Sequence, residues 1–238
     1  MEWSKSYLDL ILIPLSLLSF FLYHAWLWRK VEAEPHLTDI GISSAAHRQW
    51  VISMMKENDK KNILAVQTLR NSIMGATLMA STTILLCTGL AAVLSSTYSV
   101  KHSVNGAVYG AHGPLSLALK YAVILAVFLA AFYAYSLSIW FFSQVNFLIN
   151  VVGDCGSPPV VSPEYVSRML EKAFMLWIAG NRIFYSGISL LLWIFGPTLV
   201  LLCSVFVLQV LYKMDINGEE DGVRVFAEGD ERRAKSLV

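Results

Sequence analysis

The chain has 238 residues, 56% hydrophobic and only 15% charged, with a formal net charge of +1. A soluble domain carries about a quarter charged residues, so this balance excludes an ordinary water-soluble globule. The near-zero charge also lacks the basic signature of a nucleic-acid-binding protein. The apolar excess, expressed as a mean hydropathy of +0.56, is gathered into blocks, and the expected class is an all-α integral membrane protein.

The first apolar run, residues 7–28, is 22 residues long. As a helix it spans about 33 Å, enough for a hydrocarbon core of about 30 Å. It closes on HAWLWRK with no small-residue cleavage pattern, so it is expected to remain as an anchor. Trp3, Tyr7, Trp26 and Trp28 place aromatics at both of its interfaces. Next, Ile42, Ala46, Trp50 and Met54 recur every four residues, which predicts an amphipathic helix over residues 42–56. A second span follows at residues 72–94 and a third at 115–152.

The third run has 38 residues without Gly or Pro, about 57 Å as one helix, nearly twice the core thickness. With Lys120 snorkelling at one boundary, its lipid-embedded part is expected over residues 121–141. Gln144, Asn146 and Asn150 then stand beyond the bilayer on a cytosolic extension, where amphipathic helices can pack on them. The stretch GDCGSPP, residues 153–159, reads as a turn. A further helix starts at Ser162-Pro163-Glu164, with an N-cap hydroxyl, Pro at N1 and an acid facing the dipole. It is expected over residues 163–179, followed by a fourth span at 183–212 kinked at Gly196-Pro197.

Basic residues set the expected orientation. Arg29, Lys30, Arg48, Lys56, Lys60, Lys61 and Arg70 separate spans one and two, and Arg168, Lys172 and Arg182 separate spans three and four. The 95–114 loop holds only Lys101. The basic segments 42–70 and 163–179 belong in the cytosol, which for four spans places both termini outside. The polar tail 213–238, with Arg224, Arg232, Arg233 and Lys235 beside seven acids, fits that orientation least well.

Several motifs carry a family resemblance: YLDLILIPL at 7–15, the YHAWLW ending of the first span, QTLRNSIMGATLMASTTILL at 67–86, FFSQVNF, and NRIFYSGI with LWIFGP within 181–197. Together they resemble the plant and bacterial membrane proteins grouped as domain of unknown function 599, over about residues 5–212. That family implies no activity. In size and hydropathy the chain also resembles the pore-forming plant proteins of the endoplasmic reticulum that confer clubroot resistance. This second resemblance implies a homopentamer around a central pore passing cations, calcium (Ca2+) among them, in defence signalling at that membrane.

Among the residues themselves, Asp9 is the only carboxylate inside any expected span. With Ser16, Ser19 and Tyr23 it forms a stripe on one helix face. Repeated around a ring of subunits, this stripe is a candidate cation-selecting pore mouth; otherwise Asp9 is an interfacial acid within reach of Lys5. Ser136, Ser143, Asn146 and Asn150 form a second stripe, lining a vestibule in an oligomer or docking the amphipathic helices in a monomer. Thr77, Ser81 and Thr88, with Gly75 and Gly89, mark helix packing or a water path, and Ser186 and Ser189 read the same way. His24 is an interfacial histidine, or a relay.

Calcium takes oxygen ligands, and spans two and three offer only hydroxyls, amides and carbonyls. No catalytic signature appears: there is no H-E-x-x-H, G-x-S-x-G or Walker loop. Asp215–Asp221, DINGEED, lacks the spacing of a calcium loop, and Cys87, Cys155 and Cys203 form neither a disulfide framework nor a metal site. The expectation is therefore no enzyme and no bound cofactor, with membrane lipid and further copies of the chain as partners. Two readings stay open: a homo-oligomeric, calcium-permeable channel, and a scaffold that binds a partner through its cytosolic helices.

Overall fold

The computed structural model describes residues 3–55, 60–99, 114–150 and 161–216. Among these residues the chain is entirely helical apart from one isolated bridge, Thr38 to Ile216. The elements are α1 (Trp3–Ala33), a 3-10 turn (Pro35–Leu37), α2 (Asp39–Met55), α3 (Lys60–Ser99), α4 (Pro114–Leu148), α5 (Pro163–Leu191), a second 3-10 turn (Leu192–Ile194) and α6 (Pro197–Asp215). The 95–114 loop, the GDCGSPP turn, Cys155 and the tail beyond Ile216 lie largely or wholly outside the described residues.

Five helices, not four, are long and apolar enough to cross a membrane: Asp9–Ala33, Ile63–Ser96, Leu117–Leu148, Pro163–Ile194 and Pro197–Asp215. The difference lies after residue 162. Ser162 caps α5 as the sequence predicts, its hydroxyl accepting from the Tyr165 amide at 3.3 Å. The helix does not stop near residue 179, however, but continues to Leu191. Gly180 lets the Tyr135 ring approach: a Cβ there would sit 2.8 Å from the ring edge. Asn181 then accepts the Tyr135 hydroxyl at 2.7 Å. The polar-looking AGNR segment is therefore a helix–helix contact rather than a break.

Gly196-Pro197, in turn, is a reversal rather than a kink. Pro197 has no N–H to continue a helix and disfavours helical backbone in the preceding residue; Gly196 is extended and α6 starts at Pro197. The chain then returns antiparallel to α5, as Ser189 with Cys203 and Arg182 with Asp215 show. The expected single span 183–212 is thus the end of α5, the second 3-10 turn and most of α6. α6 ends beside Thr38, at the α2 end, opposite the start of α1.

α4 is the central helix, packed along its length by α3 and α5. Phe128 and Tyr135 of α4 project at Gly187 and Gly180 of α5, which fixes the antiparallel register. At the α2 end, Val51 and Met54 of α2, Ala65 and Leu69 of α3, Phe142, Val145 and Ile149 of α4, and Val166, Leu170 and Ala173 of α5 share one core. The expected docking of helices against the end of the third run is seen here, with Phe142 edge-on to Phe174 at 4.9 Å. The buried face of α2 differs slightly from the expected row: Val51 and Met54 are inside, Trp50 is half-buried and Ala46 exposed. His47 stacks on Phe174 at 3.8 Å. Burial holds its pKa below the usual 6.5, with Asp39 partly opposing.

Gly180→Ala is expected to destabilise the protein by about 1–3 kcal/mol through overpacking against Tyr135, seen as a lower melting temperature in detergent. Gly89→Ala, with open space around it, is expected to be neutral or slightly stabilising. For His47 the unfolded state binds more protons than the folded one, so docking of α2 is fully favourable above pH 6.5 and weakens as pH falls through the depressed folded value. Amide exchange of α2 should therefore speed up from pH 7 to pH 5 relative to α4, and His47→Phe should remove that acceleration.

Candidate functional site

The polar stripe of α1 faces inward. Asp9, Ser16, Tyr23 and His24 alternate with buried Ile13, Phe20 and Leu27 on the face turned to α5 and α6. At the far end, Asp9 is paired with Lys120 of α4 at 2.9 Å and both are almost wholly buried. Trp193 donates its indole N–H to Asp9 Oδ1 at 3.3 Å, and Lys120 Nζ lies 5.3 Å from the Trp193 ring centroid. Lys120 therefore does not snorkel, because a carboxylate inside the protein replaces the water it would otherwise reach for.

A second charged cluster sits fourteen residues further along α1, about 21 Å away. Arg182 of α5 grips Asp215 of α6 through two donors, Nη1 to Oδ2 at 2.9 Å and Nη2 to Oδ1. Tyr23 donates its hydroxyl to the same carboxylate. His24 holds the Phe20 carbonyl through Nδ1 at 2.7 Å, and its Nε2 lies 3.5 Å from Arg182. At intermediate heights on the same three helices Ser16, Ser189 and Ser204 are no more than 1% exposed. Ser16 donates to the Leu12 carbonyl at 2.8 Å and Ser189 to that of Tyr185 at 3.3 Å, while Ser204 Oγ has no hydrogen-bond partner among the described residues.

The other candidates stay within their own helices. Ser19 donates to the Ser16 carbonyl, Ser136 to Phe132, Ser143 to Ile139 and Ser186 to Ile183. Asn150 donates to the Asn146 carbonyl at 2.8 Å, while Asn146 Oδ1 is buried without a partner among the described residues. Such return bonds satisfy a hydroxyl without water. Among the described residues no three His, Cys, Asp or Glu side chains gather to hold a metal. The partners of Asp9 and Tyr23 were missed in the sequence: Arg182 was counted as a loop charge and Asp215 as part of the tail. The usable signal was one acid and one base, Asp9 and Lys120, each isolated in apolar sequence, since charges inside a membrane pair with one another.

A different face carries the exposed polar groups. On α3, Met74, Thr77, Ser81, Ile84, Thr88, Ala91 and Ser95 follow 3,4 spacing and all seven are exposed. Thr77 and Thr88 return their protons to the Ile73 and Ile84 carbonyls.

The fold is thus that of a multi-pass membrane protein: long apolar helices tied by charged pairs buried at two heights. Over residues 11–220 the chain matches the family described as protein of unknown function, DUF599, and it belongs to that family. No curated protein and no solved structure matches it.

Removing one member of a buried pair strands the other. Asp9→Ala is expected to destabilise the fold by about 3–5 kcal/mol, whereas Asp9→Leu combined with Lys120→Met should return close to wild type. Thermal unfolding of the single and double variants in one detergent checks this.

Proposed function

We propose that the protein is a homo-oligomeric cation channel in which α3 lines the pore. The observation that carries this reading is the exposed α3 seam, with hydroxyls at Thr77, Ser81, Thr88 and Ser95. From Thr77 to Ser95 it covers about 27 Å, close to the thickness of a bilayer core. Around a ring of subunits these positions become stacked hydroxyl rings, oxygen ligands of the kind calcium accepts. Ile84 adds an apolar ring between Ser81 and Thr88, a constriction of the type that gates by dewetting. A pentamer, calcium as the permeant ion and a role in defence are part of this proposal and come only from the resemblance in size and hydropathy.

The α2 end is cytosolic in this reading. Arg29, Lys30, Arg48, Arg70, Arg168 and Arg182 gather there, in keeping with the bias of basic residues towards the cytosol. With five crossings the amino terminus is outside and the carboxy-terminal tail, with its basic residues, is inside. The scaffold reading keeps one observation in its favour: Ala45, Ala46, Arg48 and Gln49 leave the outer face of α2 open to a partner.

In reconstituted bilayers, a positively charged thiol reagent is expected to block most of the cation current of Ser81→Cys and Thr88→Cys, but not that of Phe206→Cys on the exposed face of α6. Ile84→Asn should raise open probability. Wild-type protein that passes no cation current, with loss of function confined to variants of the outer face of α2, would transfer the assignment to the scaffold.

A further inference from the structure

Beside the Arg182–Asp215 cluster, between α1 and α6, lies an open cleft of about 600 Å³ lined by Tyr23, Val205, Leu208, Gln209, Tyr212 and Lys213. The α6 residues are spaced i, i+3, i+4, i+7, i+8, so they form one helix face. That face is graded. Val205 and Leu208 lie deeper, towards the middle of the helix, while Gln209, Tyr212 and Lys213 follow towards its end. From Val205 to Lys213 is about 12 Å along the axis, the distance over which a bilayer passes from acyl chain to headgroup.

Among the described residues, the positive charge at the polar end has no carboxylate beside it. Asp215 is turned away to Arg182 and Tyr23, and among the described residues no carboxylate lies within ion-pairing distance of Lys213. Tyr212 stacks on Trp26 at 5.9 Å, and Lys30 Nζ lies 5.9 Å from the Trp26 ring on its way to Glu34. Amphipathic aromatics and lysines at one height are the pattern of a membrane boundary.

From this grading we infer that the cleft is a binding site for an anionic glycerophospholipid. The phosphate lies on Lys213, within reach of the Gln209 amide, and one acyl chain runs along Leu208 and Val205. A free phosphate would gain only the polar end; the apolar floor is what selects a lipid. The occupied cleft would brace Tyr23 against Asp215, so the lipid adds to the clamp that holds α6 to α1. This site does not depend on how α3 is used.

The test is native mass spectrometry of the detergent-purified full chain titrated with phosphatidylglycerol or phosphatidylcholine, with melting temperature as a second readout. Wild type is expected to retain one phosphatidylglycerol per subunit, preferred about fivefold over phosphatidylcholine, and to melt higher when it is bound. Lys213→Ala should lose the preference while still folding, since the side chain is exposed, and Lys213→Arg should keep it. Leu208→Trp, filling the floor, should reduce retention of both lipids. An absent preference in wild type, a preference unchanged in Lys213→Ala, or an equal melting shift from inorganic phosphate alone would overturn the site.

Discussion

The grip of Arg182 on Asp215 is the interaction on which the arrangement of the outer helices depends. α6 begins after a reversal at Gly196-Pro197 and shares only a modest contact with α5. The forked guanidinium, meeting both carboxylate oxygens, fixes the height at which α6 returns. Tyr23 then ties the same carboxylate to α1. Apolar contact without a ring fitted against a glycine, as Phe128 and Tyr135 are on α5, gives little preference for one height over another in lipid, where the tails are as apolar as the side chains. A buried bidentate pair does give that preference, because any slip exposes an unpaired charge to an apolar surrounding. The pair at Asp9 and Lys120 does the same at the other end, with Trp193 as the third member. Two pins about 21 Å apart on α1 leave it little freedom to slide or rotate.

The inner helices are held differently. Aromatic side chains of α4 fill spaces left by Gly180 and Gly187 on α5, and Ser138 bonds the Ala173 carbonyl at 2.8 Å across the same interface. Shape therefore replaces charge. The same three helices, α3, α4 and α5, run past the level of Arg182 and build the end core with α2. Gly41 is essential to that corner, since a Cβ on it would overlap the Pro35 backbone. Asn146 and Asn150 follow Phe142 on this extension, at the height of the end core, where Asn150 is exposed and donates back to the Asn146 carbonyl.

Composition and apolar runs were enough to read the class, the first three long helices, the cap at Ser162 and the docking of α2. The helix count was not legible, for two local reasons. The AGNR segment looks polar and glycine-bearing in sequence, yet its glycine and asparagine are spoken for by one ring, Tyr135. Gly196-Pro197 suits a kink or a reversal equally well in isolation; Arg182 reaching Asp215 decides between them, and that contact joins residues 33 apart in sequence. The α1 stripe of Asp9, Ser16, Ser19 and Tyr23 was legible as one helix face, but periodicity does not say which neighbour a face meets. The heptad face of α3 was legible as a pattern, and only the packing of α3 on α4 shows that it points outward.

This distinction changes how α1 and α3 can be interrogated. Asp9 holds Lys120 in place, so a variant there disturbs the fold under either functional reading, and loss of function on its removal would say nothing specific about permeation. The α3 hydroxyls are in the opposite position. Thr77 and Thr88 are exposed and return their protons to their own helix, so replacing them is expected to leave the subunit intact and to alter what the outer face meets. If α3 faced lipid alone, an aliphatic residue would serve better than threonine at these two turns, because a return bond satisfies the hydroxyl proton but leaves an oxygen lone pair facing hydrocarbon. A face that keeps such oxygens in register over the full depth of a bilayer is better suited to another helix or to water than to acyl chains, and in a ring of identical subunits the same face can meet both.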